Sequence, residues 1–175
     1  MLRAQSPVRG VGNMILVVVS TGHFDPLIES CARLCNKFDF LAQIGSGTFI
    51  PPFPHFRIAE PPLIESLMSD AELVVSHGGA GMTAMLNRLK KKNVIVPKQR
   101  RYGEANNLQV ELAEKWAELG MTELCMDVGD LEKAIESCRK KTYHFPQFPK
   151  LGEHLRRILG YPESLPEPQT KVGGY

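Results

Sequence analysis

Met14-Ile-Leu-Val-Val-Val19 is an unbroken apolar run, rich in β-branched residues, that stops at Ser20-Thr-Gly22. A strand with no polar side has to be covered on both faces, as happens inside a parallel sheet flanked by helices. This segment constrains the fold more than any other. Asp25-Pro26 follows with an N-cap residue and a proline at the first helical position, and Leu27, Ile28, Cys31, Leu34 and Cys35 then recur at helical spacing.

The alternation continues along the chain. Phe38–Ile44 reads as a second strand closed by Gly45-Ser-Gly47, and Phe56–Ala59 as a short third strand after the stiff Pro51, Pro52 and Pro54 loop. Pro61-Pro62 starts a helix carrying Leu63, Ile64, Leu67 and Met68, before a fourth strand at Leu73–Ser76. A helix to about Lys91 leads to a fifth strand, Asn93–Val96, ended by Pro97. Glu104–Leu119 is the longest predicted helix, with Leu108, Leu112, Ala113, Trp116 and Leu119 on its inward face and Gly120 as C-cap. A sixth strand at Thr122–Met126 and a helix at Asp130–Arg139 complete the pattern. Strands alternating with helices predict an α/β fold: a Rossmann-like three-layer sandwich with a mostly parallel sheet. The expected organisation is a disordered extension over residues 1–12, one domain over 13–141, a C-terminal strap with a short helix over 142–160, and a disordered tail over 161–175.

Composition removes other classes. At 43% hydrophobic and 23% charged, the 175 residues suit a single globular domain. The longest apolar run is far short of the roughly 18 residues of a membrane span, and residues 1–13 lack the apolar stretch of a secretory signal, so a cytoplasmic location is expected. Cys31, Cys35, Cys125 and Cys138 have neither disulfide-framework nor zinc-ligand spacing and read as reduced thiols. His23, His55, His77, His144 and His154 are scattered, so no metal is expected.

Charge is distributed unevenly. No acidic residue lies between Glu72 and Glu104, a stretch that holds Arg88, Lys90, Lys91, Lys92, Lys98, Arg100 and Arg101. Such a run is either a solvated face or an anion site. Nucleic acid is not the expected partner, because aromatic residues for base stacking are not interleaved with these cations.

In an open parallel sheet, ligands sit beyond the carboxyl ends of the strands. The loops there are Ser20-Thr-Gly-His23, Gly45-Ser-Gly-Thr48, His77-Gly-Gly-Ala-Gly81 and Lys98–Asn107, and the acid-free stretch is expected to line this rim. Ser76-His-Gly-Gly-Ala-Gly81 lies between a strand and a helix, where glycines admit a ligand to the backbone and first-turn N–H groups point outward. It is a candidate diphosphate cradle. A Walker loop is excluded because no Gly-Lys-Ser/Thr follows, and a dinucleotide fingerprint because no acidic residue lies about 20 positions on. No Gly-x-Ser-x-Gly elbow is present either.

These motifs, together with Val94-Ile-Val-Pro97 and Gly103-Glu-Ala-Asn-Asn-Leu-Gln109, resemble the C-terminal domain of glycosyltransferase family 28. The similarity begins at Val17-Val-Val-Ser-Thr-Gly-His-Phe-Asp25, runs through Gln43-Ile-Gly-Ser-Gly-Thr48 and ends near Leu159. Within the family the chain is most similar to the small catalytic subunit of the two-part UDP-GlcNAc transferase of dolichol-linked oligosaccharide synthesis and to its bacterial exopolysaccharide counterparts. Pro97–Glu104 looks more like the bacterial branch.

The resemblance implies one half of a GT-B glycosyltransferase with a UDP-sugar as donor substrate and no cofactor. Gly78, Gly79, Ala80 and Gly81 would bind the diphosphate, and Asn106, Asn107 and Gln109 match a signature lying against donor sugar and phosphates. Thr21, Gly22, Gly45 and Gly47 would face the phosphates, while the loop at Ala59, Glu60 and Pro61 would hold the uracil. Lys98 or Arg100 would stabilise the departing diphosphate, and His77 and His23 are the in-chain candidates for general base. Met85 stands where the family often has a ribose-binding Glu, and Leu108 replaces the usual His before the final Gln; Glu104 is the substitute ribose ligand. One domain supplies only the donor half. A membrane-anchored, acceptor-binding partner subunit is therefore expected, with a lipid-linked acceptor and peripheral membrane association through that partner. The rival reading is a non-catalytic nucleotide-sugar-binding regulatory module.

Overall fold

The computed structural model describes residues 12–103 and 108–146. Its elements are β1 (Met14–Val18), α1 (Asp25–Leu34), β2 (Asp39–Gln43), β3 (His55–Phe56), α2 (Pro61–Asp70), β4 (Leu73–Ser76), α3 (Ala80–Arg88), β5 (Asn93–Ile95), α4 (Leu108–Glu118), β6 (Glu123–Leu124) and α5 (Leu131–Lys140). Short 3₁₀ turns occupy Arg100–Tyr102 and Val128–Asp130. The six strands form one sheet in the order β3-β2-β1-β4-β5-β6, and every pair is parallel. This is the doubly wound, Rossmann-like arrangement, with its switch point between β1 and β4.

β1 is central and shows why its sequence carries no polar side. Ile15 and Val17 face a core shared with Leu27, Ile28 and Cys31 of α1 and Leu131, Ile135 and Cys138 of α5. Leu16 and Val18 face the opposite core, built with Ile64 and Met68 of α2 and Leu86 of α3. All four are fully buried. The three-layer sandwich follows from that two-sided burial. Among the described residues no helix is long and apolar enough to cross a membrane.

Four local expectations are corrected. The third strand is His55–Phe56, not Phe56–Ala59. Arg57 and Ile58 leave the ladder because the chain turns there toward Pro61. The sixth strand is trimmed to Glu123–Leu124. Asp25 is not the N-cap of α1: Phe24 holds that position and no side chain caps the helix. On α4 only Ala113 is buried among the five residues assigned inward, and Leu108 and Leu119 are 63% and 45% exposed. α4 lies beside the edge strand β6, where the sheet is too narrow to cover a full helical face.

The strand Asn93–Ile95 also divides the basic stretch. Arg88, Lys90, Lys91 and Lys92 precede β5 and lie at the amino end of the sheet, away from the ligand loops. Lys91 donates to Ser69 O and Ala71 O at the end of α2, Lys92 donates to Arg139 O at the end of α5, and Arg88 pairs with Glu65. Cations at helix carboxyl ends are favourable for the dipole and satisfy orphan carbonyls. Of the stretch, only Lys98, Arg100 and Arg101 follow β5 toward the rim.

Candidate functional site

The loops leaving β1, β2, β4 and β5 meet at the carboxyl end of the sheet, and the closest contacts join the first two. Gly45 has φ of +54°, and a Cβ there would lie 2.0 Å from Gly22 O and 2.6 Å from Ser20 O. The Ser46 N–H donates to Gly22 O at 3.0 Å. Only glycine allows this approach, because the colliding atoms are backbone. Ser20 itself has φ of +62°, which turns the chain sharply after β1.

Asp25 secures the far side of the same loop. Its Oδ2 accepts the Thr48 N–H, the Thr48 hydroxyl and the Phe49 N–H. Gly47 is glycine because a Cβ would lie 2.4 Å from Asp25 Oδ1. Burial opposes the charge on Asp25, but the bonds from Thr48 and Phe49 and the nearby His23 hold its carboxyl below the ordinary value. Arg57, just past β3, donates from Nη1 to both Gly45 O and Gly47 O, at 3.1 and 3.0 Å.

Across the switch point, β4 ends at Ser76 and passes through His77-Gly78-Gly79 into α3. Gly78 has φ of +80°, and a Cβ would lie 2.5 Å from Ile95 Cγ2. Gly79 is the N-cap residue of α3 with extended backbone, and no side chain among the described residues caps the helix. The Thr83 N–H and hydroxyl both return to Gly79 O. The N–H groups of the first turn therefore face outward with the positive end of the helix dipole. Around Gly81 a Cβ would meet nothing within 4 Å among the described residues, which leaves this turn open to a ligand on that side.

The other candidates fall around this centre. Lys98 Nζ lies 5.9 Å from the centre of the Phe24 ring and 3.5 Å from where a Gly22 Cβ would stand, so its ammonium is held at the β1 loop. His77 is half-buried, and its Nε2 lies 2.8 Å from the position of a Gly79 Cβ; its ring thus backs the turn of the glycine loop. Thr21 and His23 are exposed on the β1 loop. Ala59 is half-buried against the α2–α3 core, and Glu60 is exposed at the N-cap position of α2. Arg100 is exposed in its 3₁₀ turn. Gln109 lies in the first turn of α4 with a buried Oε1 that meets no hydrogen-bond partner among the described residues. Ser76 Oγ, under the glycine loop, is likewise buried without one. Glu104, Asn106 and Asn107 lie outside the described residues.

Two side chains beside the rim serve structure instead. Arg101 pairs with Asp127 at 2.9 Å and lies over the Tyr102 ring, and Gln99 donates to Met126 O. Tyr102 packs its ring on Phe24 with centroids 5.2 Å apart. These contacts tie the loop after β5 to β6 and α1. The sequence reading missed Arg57 and the loop-holding role of Asp25, since neither periodicity nor a motif marks a contact across 10 to 24 positions of chain. Met85 is half-buried against the α2–α3 core, so its side chain packs inward from the helix that follows the glycine loop. Among the described residues no three His, Cys, Asp or Glu side chains gather in a metal-binding group.

The model of the glycosyltransferase family 28 C-terminal domain matches residues 59–151. No curated protein matches the chain. Among solved structures, the glycosyltransferase of kitacinnamycin superposes with a TM-score of 0.57 at 20% identity, over 79% of this chain and 38% of its own length. CalG4, the calicheamicin glycosyltransferase, superposes with a TM-score of 0.58 at 16% identity, over 80% of this chain and 38% of its own. At these identities the likeness is one of fold. The chain spans well under half the length of either structure.

Proposed function

Because the chain belongs to the glycosyltransferase family 28 C-terminal domain family, we propose that it is the donor-binding, catalytic part of a UDP-sugar-dependent glycosyltransferase. The sugar transferred is a hexose or N-acetylhexosamine, GlcNAc foremost. It passes to a lipid-linked acceptor bound by a membrane-anchored partner subunit.

One observation carries this reading: the first turn of α3, with no side-chain cap among the described residues, opens at the switch point after the strand next to β1, whose loop carries Gly22 with Lys98 beside it. A diphosphate is the ligand such a place suits. Backbone N–H groups of Gly79–Gly81 would point at it, the helix dipole favours its charge, and the space beside Gly81 would admit it. Lys98 adds a cation. In this reading Gln109 would supply an acceptor for a sugar hydroxyl, and the backbone of Ala59–Pro61 would recognise the uracil.

The chemistry is displacement at the anomeric carbon. The bond from C1 to the diphosphate oxygen breaks, the UDP leaves with the electron pair, and the acceptor hydroxyl oxygen forms the new bond to C1. The acceptor proton goes to a base; His77 and His23 are the candidates within this chain. Charge develops on the leaving diphosphate, where the α3 terminus and Lys98 stabilise it most in the transition state.

The test is calorimetric titration of the chain with UDP, UDP-GlcNAc and UDP-glucose, without added metal. Binding of UDP and the UDP-sugars, abolished by Gly79→Val, is expected. No binding by the chain, alone or with its co-expressed partner, would sink the proposal. Binding without turnover in the assembled complex would favour the regulatory module.

A further inference from the structure

Arg57 joins two loops that the nucleotide site needs in register, and it does so from a place no motif marks. Its Nη1 donates to Gly45 O and Gly47 O, while the Gly45 N–H donates back to Arg57 O at 3.0 Å. Three hydrogen bonds therefore fasten residues 45–47 to residue 57. The fastened loop is the one pressed on the β1 loop through Gly45, Ser46 and Gly22, next to Lys98. On the other side, Arg57 stands two residues before Ala59, at the end of a strand only two residues long.

An edge strand that short has little ladder of its own to hold the segment after it. The guanidinium replaces the missing ladder bonds with a charged donor, stronger than a neutral one. Asp25 fixes the same loop from the opposite side, through Thr48 and Phe49. Between them the loop is clamped at both ends.

We infer that Arg57 is a positioning residue for the nucleoside side of the donor site: it holds the Gly45–Gly47 loop and the Ala59–Pro61 segment at one fixed separation. The inference rests on the donor-site reading above. It predicts a division of labour, because Arg57 bonds to the loop after β2 while the glycine turn at Gly78–Gly81 follows β4. Losing Arg57 should weaken recognition of the nucleoside more than recognition of the diphosphate.

The experiment compares the full chain with Arg57→Ala and Arg57→Lys by amide hydrogen exchange and by titration with UDP and with inorganic pyrophosphate. Arg57→Ala should speed exchange at Ser46 and Gly47 while amides of β1 keep their protection. It should also weaken UDP about tenfold, the loss expected for a hydrogen bond to a charged group, with a smaller loss for pyrophosphate. Arg57→Lys, which keeps a cationic donor, should recover part of the UDP affinity. Unchanged exchange at Ser46 and Gly47 overturns the inference, and so does an equal loss for UDP and pyrophosphate, which would mark Arg57 as a general stabiliser. A wild-type chain that binds pyrophosphate but no UDP defeats the donor-site reading itself, and the inference falls with it.

Discussion

The Asp25 carboxylate holds Thr48 twice: Oδ2 accepts its backbone N–H at 3.0 Å and its hydroxyl at 2.6 Å. A residue whose type and position suit a helix cap is used instead to fix the loop that follows the next strand. The contact spans 23 positions of chain and sets one wall of the candidate site.

Replacing Asp25 by Asn should therefore cost about 1–3 kcal/mol, because a charged acceptor of several hydrogen bonds is lost. The pH dependence has a definite sign. The folded carboxyl lies below its ordinary 3.8, so its bonds contribute stability above that value and lose it as pH falls through the lower folded value. Urea denaturation at neutral pH should separate wild type from Asp25→Asn, and the gap should close in acid. A gap that persists in acid would show that the charge contributes nothing.

Gly78→Ala and Gly81→Ala should behave oppositely although they are three residues apart. At Gly78 the positive φ and a Cβ 2.5 Å from Ile95 Cγ2 predict a loss of about 1–3 kcal/mol. At Gly81 nothing among the described residues stands within 4 Å of a Cβ, and alanine in a helix should gain up to about 1 kcal/mol. Thermal denaturation of the two variants checks this.

Lys98→Met keeps the aliphatic stem near Phe24 and removes the charge. Nucleoside diphosphate affinity should fall about tenfold and lose part of its salt dependence. Titrations at low and high salt provide the measurement.

The four thiols should react unequally. Burial raises Cys31 and Cys138 and pushes Cys125 to about 12, and all three are buried, whereas Cys35 is half-buried. Alkylation of the native chain followed by peptide mass analysis should find Cys35 modified first. Equal labelling at all four would mean that the α1–α5 core opens readily.

Much of this protein is legible in its sequence because the relevant signals are local. The apolar run at Met14–Val19 announces a strand covered on both sides, helical spacing marks α1, α2 and α5, and Gly78-Gly79 between a strand and a helix marks the candidate anion-binding turn. Family membership also rests on motifs that can be read in order along the chain. What failed locally failed at the edges. The short ladders of β3 and β6 have one neighbour each, so side-chain pattern alone does not say how far pairing extends.

By itself, then, the sequence determined the α/β alternation, the two-sided burial of β1 and the four loops that carry candidate ligands. These follow from backbone propensity and from periodicities that act over a few residues. Only the tertiary structure decided which loops touch. Parallel pairing of β1 with both β2 and β4 brought Gly22 against Gly45 and set both beside α3. The passage through β5 sent Lys91 and Lys92 to one end of the sheet as helix caps and Lys98 to the other as a candidate ligand. Like charges adjacent in sequence acquired different work because a strand, once paired, carries its two ends to opposite sides of the molecule.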